Sequence, residues 1–98
     1  MDHDVYSEVN MENTAAMISI VVEDSGSVAD LNSILHEYSS FIIGRMGLPY
    51  RERQISLISI ALDGPAEVVK DLEEKIDSLH GVSAKAVFVA SGGNGAEE

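Results

Sequence analysis

The spacing of apolar residues along the first part of the chain changes once from a strand period to a helix period. Residues 16–23 form a short run rich in β-branched side chains that is broken at Gly26, which is typical of a strand followed by a turn. Residues 28–39 then carry apolar side chains at helical spacing. Ser27 and Asp30 suit the start of such a helix as a capping pair. A strand followed by a helix is therefore predicted.

The middle of the chain predicts two strands of unequal quality. Residues 41–43 open the first, but Gly44, Gly47 and Pro49 interrupt it soon afterwards. Glycine and proline fit poorly in a central strand, so this one is predicted to be an edge strand or to contain a bulge. Residues 48–54 are interpreted as its connection to the next strand, residues 55–62.

The last part of the chain predicts a helix and a strand. Residues 63–65 end the preceding strand, with Pro65 at the predicted first position of the helix. The helix carries one apolar stripe and is expected to end at Gly81 as its C-terminal cap, next to His80, whose charge would compensate the helix dipole. Residues 82–90 follow as the final strand. The stripe consists of Val69, Leu72, Ile76 and Leu79.

This order of elements predicts an α+β fold. Strand, helix, strand, strand, helix, strand is the order of a ferredoxin-like βαββαβ sandwich, with a four-stranded antiparallel sheet and two helices on one face. The domain is assigned to residues 15–90. Residues 1–14 are interpreted as an acidic N-terminal tail, and residues 91–98 as a disordered, Gly-rich acidic tail.

Alternation along the predicted strands leaves a sheet face with few polar side chains. The helices cover one face, whereas the opposite face of an open antiparallel sheet is normally polar. Here its members other than Lys85 are apolar or small. One explanation is that strands simply tolerate such residues. The explanation that we favour is that another copy of the chain covers this face, which would form a homo-oligomer, either a dimer or a tetramer. The predicted oligomer face consists of Met17, Ser19, Val21, Leu57, Ser59, Ala61, Val87 and Val89.

Composition narrows the classes of function. The formal net charge is −11, which repels phosphate backbones, so no direct binding of nucleic acid is expected. The chain has no cysteine, which excludes disulfides and a thiol nucleophile. No signal peptide and no apolar run of membrane-spanning length are recognised, so a cytoplasmic location without membrane contact is expected. No catalytic motif is found, and neither enzymatic activity nor a cofactor is predicted.

The turn after the first strand is the candidate ligand site. Backbone N–H groups at the start of a helix can hold a carboxylate, and an acidic side chain beside them can accept an amino group. An amino acid therefore fits better than a phosphate. The alternative is an ordinary capped turn. The residues assigned to this site are Glu23, Asp24, Ser25, Gly26, Ser27 and Val28.

The basic residues offer a second candidate contact. All three arginines, Arg45, Arg51 and Arg53, fall within nine residues of an otherwise acidic chain. They could receive an anionic ligand, carboxylates of a neighbouring subunit or an acidic partner, or they could be solvated arginines that guard an edge strand. The three histidines lack the spacing of metal ligands, so no metal site is predicted.

Two stretches resemble known domains. The turn resembles the opening of an ACT domain, with Glu23 at the acidic position, Gly26 at the glycine and Ser25 in place of the usual proline. Residues 16–89 are also similar to the small ACT-like family of regulators assigned to the iron-only hydrogenase system. The run Arg45-Met46-Gly47-Leu48-Pro49 is the most specific part of that match.

The family resemblance implies a ferredoxin-like fold related to ACT domains and to the C-terminal domain of the nickel-responsive repressor. It also implies self-association, a bacterial source and a small effector bound at the turn. A second possibility is an adaptor without a small ligand, which docks through residues 45–53 onto hydrogenase-maturation proteins. The repressor binds nickel through histidines and a cysteine in its sheet, which this chain does not have in its predicted strands.

Overall fold

The computed structural model describes residues 13–89. The predicted tails lie outside this range, except that Asn13 and Thr14 belong to the first strand. Six elements are joined by short turns, with one turn of 3-10 helix before and one after the first α-helix. They are β1 (Asn13–Val22), α1 (Val28–Glu37), β2 (Ile42–Tyr50), β3 (Ile55–Pro65), α2 (Ala66–Asp77) and β4 (Val82–Phe88).

The four strands form one antiparallel sheet in the order β2-β3-β1-β4. In the two central strands Ile18 pairs with Ile60, and Ala86 of β4 lies on the other side of Ile18. β1 and β3 have a neighbouring strand on each side and are the central strands, while β2 and β4 form the two edges. The predicted ferredoxin-like fold is confirmed.

The core lies between the sheet and the two helices. Side chains at alternate strand positions, such as Ile18 and Ile60, are completely buried, and so are Leu72 and Ile76 of α2. The apolar side of the strands, which repeats every two residues, therefore packs against the apolar side of the helices, which repeats every 3.6 residues, in one layer. The predicted assignment of strand faces is correct. The remaining core residues are Ala16, Ile20, Val22, Leu31, Leu35, Leu62, Val69, Val82 and Ala84.

The second strand is both an edge and bulged, but it is longer than predicted. Its pairing with β3 shifts register between Ile42 and Gly44 and then continues without a break to Tyr50. The predicted connection is therefore wrong over its first three residues. Proline has no backbone N–H, but an edge strand tolerates it where that N–H would face solvent and is not needed for pairing. The turn itself is confined to residues 51–54.

Both predicted ends of the second helix are wrong. Pro65 still belongs to β3 and precedes the helix, which begins at Ala66 and ends at Asp77. Gly81 is not its cap. It lies in the following turn with φ of 70°, a left-handed conformation that glycine adopts without steric cost. The helix instead ends through hydrogen bonds from the Ser78 N–H to the carbonyls of Glu74 and Ile76.

Candidate functional site

The turn between β1 and α1 is stabilised by its own backbone and by Asp24. Oδ1 of Asp24 accepts a hydrogen bond from the Gly26 N–H at 2.9 Å, and its carbonyl accepts one from the Ser27 N–H at 3.0 Å. The Val28 N–H donates to the Ser25 carbonyl. Three successive N–H groups at the start of α1 are thus already engaged. The backbone groups that were expected to hold a carboxylate are used within the turn.

A second turn, Leu79–Val82, packs directly against the first. The Glu23 N–H donates to the Gly81 carbonyl at 2.6 Å, and the Ser27 hydroxyl donates to the His80 carbonyl at 2.7 Å. Nδ1 of His80 lies 2.7 Å from Oδ2 of Asp24. We call these contacts the turn–turn junction. They fix the predicted ligand turn to the start of β4, more than 50 residues away in sequence.

The junction changes the roles predicted for two residues. Ser27 makes no capping hydrogen bond to α1, because its buried hydroxyl donates to the His80 carbonyl instead. The predicted capping pair with Asp30 is therefore wrong. His80 does not cap α2, since its largely exposed ring points toward Asp24. Neither contact has a local sequence signal, because each joins residues far apart along the chain.

An open pocket of about 460 Å³ lies beside the turn. Glu23, Asp24, Ser25 and Val28 line one side, and the end of β2 with the following turn supplies Tyr50, Arg51 and Gln54 on the other. The pocket is therefore lined by two acidic residues and one arginine, which come from different elements. Ligand binding at this turn remains a prediction. The groups expected to contact the ligand are now the side chains that line the pocket rather than the backbone N–H groups.

The three arginines are separated by the fold. Arg51 lines the pocket beside the turn, whereas Arg45 borders a neighbouring groove and donates from Nη2 to Oδ1 of Asn32 at 3.1 Å. Arg53 lies at the exposed tip of the β2–β3 hairpin, outside both cavities. They therefore do not act as one anion site. Each of the three arginines has different neighbours.

The hydrogen bonds at Asp24 perturb its ionisation. The Gly26 N–H, and after it the His80 ring, lower the pKa of Asp24 below its ordinary value of 3.8. A carboxyl whose pKa is lower in the folded state than in the unfolded chain stabilises the fold above its unfolded pKa. That contribution is lost as the pH falls through the folded pKa.

We expect Asp24→Asn to reduce the acid sensitivity of the fold. The wild-type protein should lose stability as the pH falls below the ordinary pKa of 3.8 and through the lowered pKa of the folded state, and the variant should lose less because the titrating group is gone. Urea unfolding at several pH values measures the difference. Asp71→Asn, at an exposed position on α2, is the control. If the free energy of unfolding fell equally with pH in Asp24→Asn and in wild type, the contribution assigned to the Asp24 carboxylate would be contradicted.

The sheet face opposite the helices, here called the open face, carries most of the large apolar side chains exposed within residues 13–89. Seven of the nine large apolar side chains exposed within residues 13–89 lie on it at regular strand positions, and an eighth, Ile43 of the bulge, lines a cavity on the same face. Every predicted member of the oligomer face has this orientation. Between its ends the face has one charged residue, Lys85, and Asp63 lies at its margin. The seven are Met17, Met46, Leu48, Tyr50, Leu57, Val87 and Val89.

Three of these seven residues were missed from the sequence. Met46, Leu48 and Tyr50 face the same side as Ser59, Leu57 and Ile55, their partners in β3. Met46 and Leu48 border an open-face groove of about 360 Å³ with Val21 and Leu57. Positions 44, 46, 48 and 50 do alternate with the strand period, but Gly47 and Pro49 on the other face obscured that signal.

Residues 13–89 contain neither a cluster of metal ligands nor a membrane-spanning helix. No three His, Asp or Glu side chains lie close enough together there to hold a metal ion. No helix in that part of the chain is both long and apolar enough to cross a bilayer. His36 lies exposed on α1 and His80 at the turn–turn junction, while His3 lies outside the described residues.

The fold, the turn between β1 and α1 and the open face define an ACT-like domain of the ferredoxin-like class. The model of the TM1266-like family, described as "Iron-only hydrogenase system regulator, putative", matches residues 14–86. The match covers about three quarters of the chain, and the chain belongs to this family. The family is thus described by a regulatory role rather than by an enzymatic one.

Solved structures agree with this assignment. The uncharacterized protein TM1266 from Thermotoga maritima is 28% identical, with a TM-score of 0.77, and the alignment covers 81% of this chain and all of that one. A formyltetrahydrofolate deformylase from Pseudomonas putida KT2440 is 13% identical, with a TM-score of 0.55, over 74% of this chain and 28% of its own. The second likeness shows the fold alone. No curated protein matches the sequence.

Proposed function

We propose that this chain is a regulatory domain of the iron-only hydrogenase system that self-associates through its open face and binds a small effector beside the β1–α1 turn. The apolar open face is the observation that carries the proposal. A domain this small buries only about 60–65% of its unfolded surface. Covering Met46, Val87 and their apolar neighbours with a second copy would remove most of the large apolar side chains exposed within residues 13–89 from water.

The open face is also suited electrostatically to self-association. Two chains that each carry a charge of −11 repel one another, so an interface between copies needs a surface almost without acidic residues. Away from its margin, the open face meets that need. Its small polar members, Ser19 and Ser59, pair with each other across the two central strands and leave a shallow surface between the larger apolar side chains.

The self-association is tested by a lysine on the open face. We expect the wild-type protein to sediment as a dimer or tetramer at micromolar concentration. Val87→Lys should weaken association by about a hundredfold, since it would place an unpaired charge in the interface. Val87 is 64% exposed, so the monomer should tolerate the change. The matched control is Ser33→Lys, at an exposed position of α1. A wild-type monomer at that concentration would refute the proposal.

The effector proposed for the pocket is a molecule with both an amino group and a carboxylate, such as an amino acid. Glu23 stands on the wall that would receive the ammonium group, and Arg51 on the wall that would receive the carboxylate. Asp24 is less suited to a ligand because its two oxygens already contact Gly26 and His80. A phosphate would meet two carboxylates in this pocket and bind less well.

Calorimetric titration of the full chain with the common amino acids tests the effector. We expect at least one to bind, and Arg51→Gln to weaken it tenfold or more through loss of a charge-assisted hydrogen bond. Arg53→Gln, at the hairpin tip two residues away, should leave the affinity unchanged. Gly26→Val should also weaken binding, because its Cβ would lie 3.2 Å from Oδ1 of Asp24. Equal losses for Arg51→Gln and Arg53→Gln would argue against this pocket.

A second candidate function is an adaptor without a small ligand. It is favoured by the exposed hairpin tip, where neither Arg51 nor Arg53 pairs with a carboxylate of residues 13–89. Such a tip, together with Arg45, would dock onto acidic surfaces of hydrogenase-maturation proteins. Titration with purified maturation proteins distinguishes the two functions. Binding that is lost in Arg45→Glu and Arg51→Glu, with no amino acid bound, would favour the adaptor.

A further inference from the structure

The free edge of β4 is occupied by two carboxylates of α2. Oδ1 of Asp77 accepts a hydrogen bond from the Ala84 N–H at 2.9 Å, and Oε2 of Glu73 accepts one from the Ala86 N–H, also at 2.9 Å. Alternate residues of an edge strand direct their N–H groups away from the sheet, and these two groups are consecutive on that side of β4. Each carboxylate oxygen therefore lies where the carbonyl of an added strand would lie.

The repeats of the helix and of the strand explain why both hydrogen bonds can form. Asp77 and Glu73 are four residues apart, which corresponds to about 6 Å along a helix. Ala84 and Ala86 are two residues apart, which corresponds to about 6.8 Å along a strand. α2 and β4 run in opposite directions, since the carboxylate later in the helix bonds the N–H earlier in the strand. One side of the helix can thus present an acceptor to each successive N–H on the edge.

Small side chains on β4 bring α2 close to this edge. Ala84 and Ala86 both point to the helix side of the sheet, where a larger side chain would hold the helix farther away. The Val82 N–H, which points outward as well, donates to the Leu79 carbonyl at 3.2 Å. One turn earlier than Glu73, α2 has Val69, which is buried and carries no acceptor. The cover therefore extends over the first three outward N–H groups of β4.

β4 needs such a cover because its own sequence is suited to strand pairing. Val82–Phe88 contains no proline and no glycine, the two residues that most often interrupt an edge strand. Its one charged residue, Lys85, pairs with Ser19 on the open face. An uncovered edge strand with little charge is a template for strands of other molecules. Protection of the β4 edge therefore depends on α2 more than on β4 itself.

We infer that Glu73 and Asp77 form a stop against strand addition at β4. An incoming strand could pair there only by displacing both carboxylates from N–H groups to which they make charge-assisted hydrogen bonds. Its carbonyl oxygens would also approach two negative charges. The stop confines contacts between copies of the chain to other surfaces. It rests on the α2–β4 contacts alone and holds whether or not the chain associates through its open face.

Alanine at both positions of the full chain tests the stop. In Glu73→Ala, Asp77→Ala we expect the Ala84 and Ala86 amides to exchange about tenfold faster than in wild type at submicromolar protein, because their acceptors are gone. At high micromolar protein the opened edge should pair with strands of other molecules. Both amides should then become protected again while larger species sediment. In wild type their exchange should not depend on concentration, since association through the open face does not contact these N–H groups.

Two matched variants separate the acceptor oxygens from the charge. Asp71→Ala, Glu74→Ala removes the same charge from exposed positions of α2. It should exchange like wild type at both amides and gain no protection with concentration. Glu73→Gln, Asp77→Asn keeps an acceptor oxygen at each position and should retain most of the protection. A loss of protection as large in the amide variant as in the alanine variant would contradict the role of these oxygens.

A single substitution keeps the test decisive if the double variant does not fold, which circular dichroism shows. Asp77→Ala alone should accelerate exchange at Ala84, leave Ala86 unchanged because it bonds Glu73, and regain protection at Ala84 at high concentration. A folded alanine variant whose amides exchange faster, yet gain neither protection nor larger species with concentration, would overturn the stop. Exchange at Ala84 as slow as in wild type would show that the carboxylates do not cover the edge.

Discussion

Replacing Gly81 by valine is expected to lower the free energy of unfolding by about 3–4 kcal/mol. The native φ of 70° costs a side chain with a Cβ about 1–2 kcal/mol. In addition, the new Cβ would lie 2.5 Å from Cβ of Asp24, so the two turns would have to separate. Separation would break the hydrogen bond from the Glu23 N–H to the Gly81 carbonyl. Urea unfolding monitored by circular dichroism measures the loss.

Two further variants divide this effect into its causes. Gly81→Asn should cost less than valine, because asparagine tolerates the left-handed conformation, although its Cβ still meets Asp24. Gly44→Ala should change stability by less than about 0.5 kcal/mol, since a Cβ there meets only Ala61 at 3.9 Å. A loss below about 1 kcal/mol for Gly81→Val would show that the junction contributes little to the fold.

Truncating Ile60 to alanine is expected to destabilise the fold by about 3–4 kcal/mol. Ile60 is completely buried in β3, opposite Ile18 of β1, and its loss leaves a cavity that the two paired strands cannot close. Small domains have a total stability of about 5–15 kcal/mol, so a sizeable part of it would be lost. Thermal and urea unfolding of the variant give the value.

The control for Ile60 lies on the other side of the sheet. Val87→Ala removes apolar atoms from a side chain that is 64% exposed, so in the monomer it should cost less than about 1 kcal/mol. If copies pair through the open face, the cost of Val87→Ala should grow with protein concentration, whereas that of Ile60→Ala should not. Equal effects of the two substitutions at low concentration would contradict the assignment of the faces.

The fold was predictable because local signals agreed along most of the chain. The strand period in residues 16–23 and 55–62 and the stripe of α2 each point to one buried side, and together they allow one sandwich. β2 was harder, since Gly47 and Pro49 lower its strand propensity. Pairing with β3 overrides that propensity, and an edge position removes the need for the proline N–H. Such a compensation is tertiary and cannot be read from a short window.

The candidate site was predictable only in part for a similar reason. The break between the first strand and the first helix pointed to the turn at Gly26, and the acidic composition drew attention to the arginines. No local pattern places Arg51 beside Glu23 or His80 beside Asp24. Those neighbours are set by the order of strands in the sheet. The engagement of the Gly26 N–H by Asp24 was equally hidden, since an aspartate two residues before a glycine can also leave the backbone free for a ligand.

The central place of β1 has a consequence for synthesis of the protein. β1 is made first, but its partners are β3 and β4, with Ala16 paired to Leu62 and to Phe88. At about 5–20 residues per second, the ribosome takes several seconds to supply those strands. During that time Ile18, Ile20 and Val22 form an unpaired, β-prone segment. Neighbouring nascent chains repel one another through their strong negative charge. This repulsion keeps the unpaired segments apart until the sheet has formed.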